Sequence, residues 1–484
     1  MTLFSSKIEE LIMESGESVQ SLAEIGKISR STLQRVKSGE RLPPKNFFSK
    51  LCKALRLSPA EIDELKLLLE IQTVGERHYY NRQTIIELIE MIAELTEYQI
   101  PFSKEIGLKE SAPLLVENAR EIQTFKGKAH VLSIVQNCID RELFSAEAPT
   151  LKLLIPYECH DIYNYIFQQL LGCRKNLMLQ DIVRLPKEGG EKEADQSLVA
   201  LKDLLALSLL NNVEYESHYY YQSGSENADF GAVFPYFILT SESVITLSKD
   251  LKTAVLYENP ALLKIYQQNF LAQLEKAETF IKESRDLFQI YGLEQALEVR
   301  HVLEPLPCFA CYFTDEMIVN TLNPDFPYYH ELCTAVVAFY KKFWAQNDKM
   351  INFFSANSLE KFMEDGRMYL PEELVNAFTR EERLTLVKQL RDDLVNNRRK
   401  IFALNREKLF INSALEFSNE ITVLRLVLHY NVEGQMVFKN IAINEPNTIN
   451  AFEDFFDSLP ESDFLLPPEA VIAQIDALID AYEN

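Results

Sequence analysis

Over the first 70 residues the apolar positions recur every three or four places, the spacing of one face of an α-helix, and polar caps separate the short helices they predict. Residues 18–39 read as two such helices meeting at a tight turn. Leu22 and Ala23 turn inward in the first. In the second, Ser29 stands where an N-cap acceptor belongs, and Leu33 and Val36 form an inward pair. That pair sends Ser31, Gln34, Arg35 and Ser38 to the opposite face, at offsets of three, four and seven. Ser58-Pro59-Ala60-Glu61 is a capping box with proline at the first helical position, opening a helix to about residue 70. The pattern breaks around Gly75, which predicts a linker over residues 73–82. It resumes as a helix over 83–97, with Ile85, Ile89, Ile92 and Leu95 along one side. Such a stripe either packs on its own domain or couples the N-terminal head to the body of the chain.

From about residue 105 short apolar runs alternate with helical stretches, the pattern of an α/β body. Strands are predicted at 151–156 and 177–185, helices at 160–171 and 196–210. Residues 213–221 alternate, with Val213, Tyr215, Ser217, Tyr219 and Tyr221 on one face and Glu214, Glu216, His218 and Tyr220 on the other. The tyrosines suit a sheet core or a ligand pocket. Shifted by 74 residues, Thr240, Glu242, Ile245, Tyr266 and Phe270 fall on Thr314, Glu316, Val319, Tyr340 and Trp344. This suggests two copies of strand, turn, strand and long helix, the helices at 260–281 and 328–346. The last third predicts a helix at 380–397, strands at 421–430 and 435–443 joined at Glu433-Gly434, and closing helices at 447–459 and 467–482. The expected fold class is α/β: an all-α domain over residues 1–70, a linker and connecting helix over 71–100, a mixed α/β sensor or assembly domain over 101–350, and a C-terminal α/β lobe over 351–484 that is either separate or an extension of the same sheet.

Charge divides the chain the same way. Residues 27–56 hold nine Lys or Arg against the single acid Glu40, within a chain of net charge -23. A negative body is repelled by phosphate, so only the first domain is expected to meet nucleic acid. The composition, 47% hydrophobic and 25% charged, is that of a folded soluble protein. The start lacks a basic stretch followed by an apolar one, and no run of about 18 apolar residues occurs, so a cytoplasmic protein without membrane contact is expected.

Polar, fork-shaped and amide side chains on the outer face of a short second helix are what base-edge reading in the major groove requires. Arg35 suits a guanine edge and Gln34 an adenine edge, while Arg30 reaches a base or a phosphate. With Leu22-Ala23, Ser29-Arg30-Ser31-Thr32-Leu33, Gly39, Pro43-Pro44 and the apolar Phe48, Leu51, Cys52 and Leu55, residues 5–69 resemble the XRE, or lambda-repressor-like, helix-turn-helix family. The resemblance implies base contacts by Arg30, Ser31, Thr32, Gln34 and Arg35, and phosphate contacts near Ser38, Arg41 and Lys45. The chain departs from the family just before the turn, with Gly26 and then Lys27 where the family has an apolar residue and then glycine, so a reshaped turn is open. A helical interaction domain that binds no DNA is the alternative. The half-units of the body weakly resemble the phospholipase D-like sensor domains of some prokaryotic regulators. The enzyme's His-x-Lys signature is missing, which implies binding without hydrolysis.

Other chemistries are poorly supplied. The seven cysteines, Cys52, Cys138, Cys159, Cys173, Cys308, Cys311 and Cys333, are odd in number and scattered, as reduced thiols are. Cys308-x-x-Cys311, with His330 and Cys333 downstream, is the leading metal candidate, but PCFACYF reads as a strand, on which residues three apart face opposite ways. Cys159 and His160 are adjacent, and adjacent side chains seldom converge. Gly189-Gly190 lacks the Lys-Ser or Lys-Thr of a phosphate loop. Arg398-Arg399-Lys400, near Asp392, Asp393 and Glu407, reads as a solvated helix end. No catalytic residue, metal or cofactor is expected. The expected protein is a transcriptional regulator on double-stranded DNA, with a body that senses a small-molecule effector or mediates assembly. One short reading unit spans too few base pairs for selective binding, so a homodimer is expected. A DNA-tethered or self-regulated enzyme and a peptide- or protein-responsive interaction module are the rival readings.

Overall fold

The computed structural model describes residues 2–44, 46–97, 121–173, 175–186, 193–222, 233–284, 298–326, 329–346, 349–368, 374–413, 415–432 and 435–483. Contacts divide the chain into one unit of residues 1–83 with 189–195, and another of 84–188 with 196–484. The Gly189-Gly190 loop and the Glu433-Gly434 turn lie outside the described residues.

The first unit is helical: α1 (Leu3–Ser15), α2 (Val19–Ile25), α3 (Arg30–Lys37), α4 (Phe47–Leu55), α5 (Pro59–Val74) and the start of α6 (Glu76–Glu97). Thr2 and Ser58 close capping boxes on α1 and α5, and Ser18 and Ser29 cap α2 and α3. Phe4 and Ile8 of α1, Leu22 of α2, Leu33 of α3, Leu51 of α4 and Leu65 of α5 form its core. The linker expected over residues 73–82 is replaced by helix. α5 continues to Val74 and α6 begins at Glu76, leaving Gly75, at φ +98°, as the one residue between them. Glycine enters that region without steric penalty, so one residue interrupts what reads in sequence as a longer break. Asn81 exchanges two 2.8 Å hydrogen bonds with Asp195, which also pairs with Arg77 at 2.5 Å.

The second unit is built on one sheet. Its strands are β1 (Ile122–Lys126), β2 (Thr150–Leu154), β3 (Leu177–Pro186), β4 (Val213–Gln222), β5 (Tyr236–Leu239), β6 (Val244–Leu247), β7 (Thr253–Tyr257), β8 (Glu278–Ser284), β9 (Val299–Glu304), β10 (Ile351–Ser355), β11 (Lys400–Leu404), β12 (Leu415–Glu420), β13 (Leu424–Val432) and β14 (Gln435–Ile443). The order across the sheet is β1-β7-β6-β5-β2-β3-β4-β8-β14-β13-β12-β9-β10-β11. Helices α7 (Lys128–Ser145), α8 (His160–Gly172), α9 (Gln196–Ser208), α10 (Pro260–Leu274), α11 (Asp315–Thr321), α12 (Tyr329–Gln346), α13 (Ser358–Asp365), α14 (Arg380–Asn396), α15 (Pro446–Ser458) and α16 (Pro468–Glu483) connect and cover them. The α/β body expected from the alternating pattern is therefore present, and strands on both sides of residue 350 share one sheet.

The chain traces one path twice. β2, β3 and β4 run parallel, β5 returns antiparallel on the far side of β2, and β6 and β7 continue as a meander. β9, β10 and β11 repeat the parallel part, with β12, β13 and β14 returning beside β9. β8 lies between the copies, antiparallel to β4 and β14. This repeat is not the one read at a 74-residue offset. Thr240 closes the β5–β6 turn, whereas Thr314 caps α11 and Val319 lies inside that helix. The helix predicted over 260–281 also stops early. It ends at Leu274, and Thr279, Phe280 and Ile281, β-branched and aromatic, belong to β8.

Side chains alternate across the sheet. Phe353 of β10 packs with Phe452 and Phe456 of α15, in a cluster that also takes Leu151, Leu179 and the α6 residues Ile85, Ile89 and Ile92. Its neighbour Phe354 packs on the opposite face with Phe362 of α13, Leu390 of α14 and Ile475 of α16. The tyrosines of β4 are anchored through their hydroxyls. Tyr215 and Tyr163 donate to Asp181 Oδ2 at 2.8 and 3.1 Å, Tyr219 to Glu278 at 2.9 Å, and Tyr221 to Glu445. Among the described residues no helix is long and apolar enough to cross a membrane.

Candidate nucleic-acid interface

The α2–α3 unit is fixed from inside. Leu22, Leu33 and Val36 are almost wholly buried, and Ser29 Oγ accepts the Thr32 N–H at 3.4 Å to start α3. With Leu33 and Val36 committed to the core, Arg30, Ser31, Gln34, Arg35 and Ser38 are exposed, Thr32 is half-buried, and Arg41 is exposed just beyond the helix. Ser31 Oγ lies 2.9 Å from Ser29 Oγ, and Ser38 Oγ donates to the Arg35 carbonyl at 3.1 Å. Lys45, expected at a phosphate, lies outside the described residues.

The turn resolves the departure at Gly26-Lys27. Lys27 itself adopts the left-handed conformation, φ +48°, while Gly26 stays right-handed at φ -78°. The glycine answers a different need, close approach. A Cβ on Gly26 would lie 3.1 Å from the Leu22 carbonyl oxygen, 3.2 Å from Ala54 Cβ and 3.3 Å from the Lys50 carbonyl oxygen. Gly26 thus lets α2 end against α4, and Lys27 bears the backbone strain.

The basic side chains differ in commitment. Lys37 is held by Glu9 at 3.0 Å. Among the described residues Arg30, Arg35 and Arg41 have no ion-pair partner, so their guanidinium donors face solvent. A guanidinium offers a planar fork suited to a guanine edge or a phosphate.

The other candidate chemistries are arranged differently from their sequence reading. PCFACYF is not a strand: Phe309–Tyr312 is a 3-10 turn, which brings Cys311 Sγ within 3.1 Å of the Cys308 carbonyl oxygen. Proline and the short aromatic run mimic a strand pattern but close a turn instead. Burial pushes the Cys311 thiol up to about 12 and Cys308 well above its usual value, so both stay protonated and weakly nucleophilic. Among the described residues no group of three or more His, Cys, Asp or Glu is placed to hold a metal. His160 Nδ1 pairs with Asp203 rather than with Cys159, whose thiol is pushed up to about 12 by burial. Arg399 pairs with Asp393 at 3.3 Å and stacks on Trp344, which ties the basic cluster into the end of α14.

Sequence reasoning missed a carboxyl pair in the body. Glu304 of β9 and Glu416 of β12 are neighbours across the ladder beside the paired Leu303 and Phe417. Burial raises both, Glu416 to about 7, and Asn352 Nδ2 donates to Glu304 at 2.7 Å. The two acids lie more than 100 residues apart in sequence. Only the β9–β12 pairing joins them.

Residues 8–62 match the family model described as Helix-turn-helix. No curated protein matches the chain. Among solved structures, the chain shows likeness to TrmBL2, described as an archaeal chromatin protein with a novel mode of DNA binding, at 13% identity over 46% of this chain and 72% of that one, TM-score 0.25. It also shows likeness to polyphosphate kinase from Porphyromonas gingivalis, at 10% identity over 80% of this chain and 60% of that one, TM-score 0.21. Scores this low carry no argument about fold or function, and the body's likeness to phospholipase D-like domains stays weak. The sequence motif, the capped α2–α3 geometry and the family match agree on a helix-turn-helix domain over residues 8–62 of the first unit.

Proposed function

We propose that the chain is a sequence-specific transcriptional regulator in which α3 reads base edges in the major groove and the α/β body senses a ligand or mediates assembly. The observation that carries this reading is the exposed face of α3. Arg30, Ser31, Gln34 and Arg35 are set by the buried Leu33 and Val36, with Arg30 and Arg35 outside any ion pair among the described residues. The +8 balance of residues 27–56, in a chain of net charge -23, supports it, since phosphate draws that segment and repels the rest. The protein acts as a homodimer, because two recognition helices a helical turn apart supply the selectivity that one cannot. In this reading the body binds rather than catalyses.

Fluorescence anisotropy with a preferred duplex and shuffled duplexes, from about 50 to 200 mM salt, tests the assignment of α3. Arg35→Ala should cost about 1–3 kcal/mol on the preferred site and relax base choice. Arg41→Ala should weaken all duplexes alike and lower the salt slope by about one. Equal losses on every duplex for Arg35→Ala would remove Arg35 from base reading.

A further inference from the structure

Around α11 and α12 the second unit forms a half-open pocket of about 100 Å³, lined among others by Phe313, Ile318, Leu332, Val336, Tyr340 and Phe378. Apolar walls at this spacing favour an apolar guest over water, and a sealed apolar cavity of about 150 Å³ binds benzene. Among the described residues no charged side chain lines the pocket, which disfavours an ionic guest because a buried unpaired charge is costly. Among the described residues its wall has two polar side chains, Thr321 and Tyr340. The Thr321 hydroxyl is spent, donating to the Met317 carbonyl at 2.7 Å. The Tyr340 hydroxyl has no hydrogen-bond partner among the described residues. Phe313 meets the Tyr340 ring edge-on at 5.8 Å and packs on Phe378 at 5.4 Å, so the phenol is held in place. Burial, with Cys308, Glu416 and Glu304 nearby, keeps it protonated and so a neutral donor.

We propose that this pocket is a binding site for a small neutral molecule with an apolar body, at most the size of a single aromatic ring, and one hydrogen-bond acceptor for the Tyr340 hydroxyl. The site stands independently of DNA reading, and its test uses no DNA. Phenol and toluene have the same shape and differ by a hydroxyl against a methyl group. Both should bind the full chain in titration calorimetry with dissociation constants on the order of 0.1–1 mM. Tyr340→Phe should leave toluene binding unchanged and lower phenol affinity relative to toluene about three- to tenfold, the net worth of one neutral hydrogen bond. Val336→Trp, which fills the void, should abolish binding of both, with circular dichroism checking that the variant is folded. Absence of saturable binding by either probe to the wild-type chain overturns the proposal. So does a phenol-to-toluene ratio that Tyr340→Phe leaves unchanged, a result that needs no cavity-filling variant.

Discussion

Lys439 of β14 is fully buried, and its Nζ donates to the carbonyl oxygens of Ser208 at 2.7 Å and Leu210 at 2.8 Å, at the end of α9. It also lies 3.2 Å from Glu283 Oε1 of β8, a side chain 7% exposed. One ammonium therefore supplies donors to carbonyls that the last turn of a helix leaves unmatched, and faces a buried carboxylate where the two copies of the repeat meet. Lys439→Met keeps most of the apolar stem and removes the charge. Each carbonyl left unsatisfied costs about 1–3 kcal/mol. Breaking one side of a buried ion pair costs about 3–5 kcal/mol. These losses overlap, so a total of about 4–6 kcal/mol is expected. Adding Glu283→Gln removes the stranded charge and should return about 1–3 kcal/mol, a non-additivity typical of touching residues. The assay is urea unfolding of the full chain followed by tryptophan fluorescence. Trp344, the one tryptophan, lies in the second unit, so the signal reports the body. A single variant within about 1 kcal/mol of wild type, or a double variant whose losses simply add, would refute the assignment of Lys439 as a paired, structural charge.

Gly26→Ala should destabilise the first unit by about 1–3 kcal/mol through crowding against Ala54 and two carbonyls, whereas Lys27→Gly should stabilise it by up to about 1 kcal/mol by relieving left-handed strain. Hydrogen exchange of α2 and α3 amides reads both, and equal effects of the two substitutions would contradict the division of roles. Iodoacetamide at pH 8 should modify Cys311 far more slowly than a free thiol, because the thiolate is scarce in a group pushed up to about 12; peptide mass spectrometry decides. The carboxyl of Glu416, raised to about 7, binds its proton more tightly in the folded chain than in the unfolded one. Its contribution to stability is thus complete below about pH 4.5 and is lost as pH rises through about 7. Glu416→Gln should flatten that slope in the Trp344 unfolding signal, and an unchanged slope would exclude Glu416 as its source.

What could be read from sequence depended on how local the determinant was. Ser29, Leu33 and Val36 act within eight residues, so the cap, the inward pair and the exposed Arg35 face followed from spacing, and the structure places each accordingly. The capping box at Ser58 and Glu61 was equally legible. Gly75 was readable as a break but not as a single-residue one, because helix on both sides depends on buried contacts such as Ile71 and Ile85. The repeat was misread for a related reason. Tyr266 and Phe270 do share a long helix, as Tyr340 and Trp344 do, but the true correspondence lies in strand order, set by pairings such as β2 with β5 and β9 with β12. The Glu304–Glu416 pair, the Lys439 anchor and the Tyr340 pocket join residues from distant segments, and no local pattern encodes them.

The central claim, that α3 reads DNA sequence, is tested most directly by selecting bound duplexes from sheared genomic fragments with the purified full chain at about 0.15 M salt, where non-specific contacts are largely screened. The account predicts enrichment of fragments sharing a palindromic motif with half-sites about one helical turn apart, 10–10.5 base pairs. Recovery of no common motif by folded protein would contradict it.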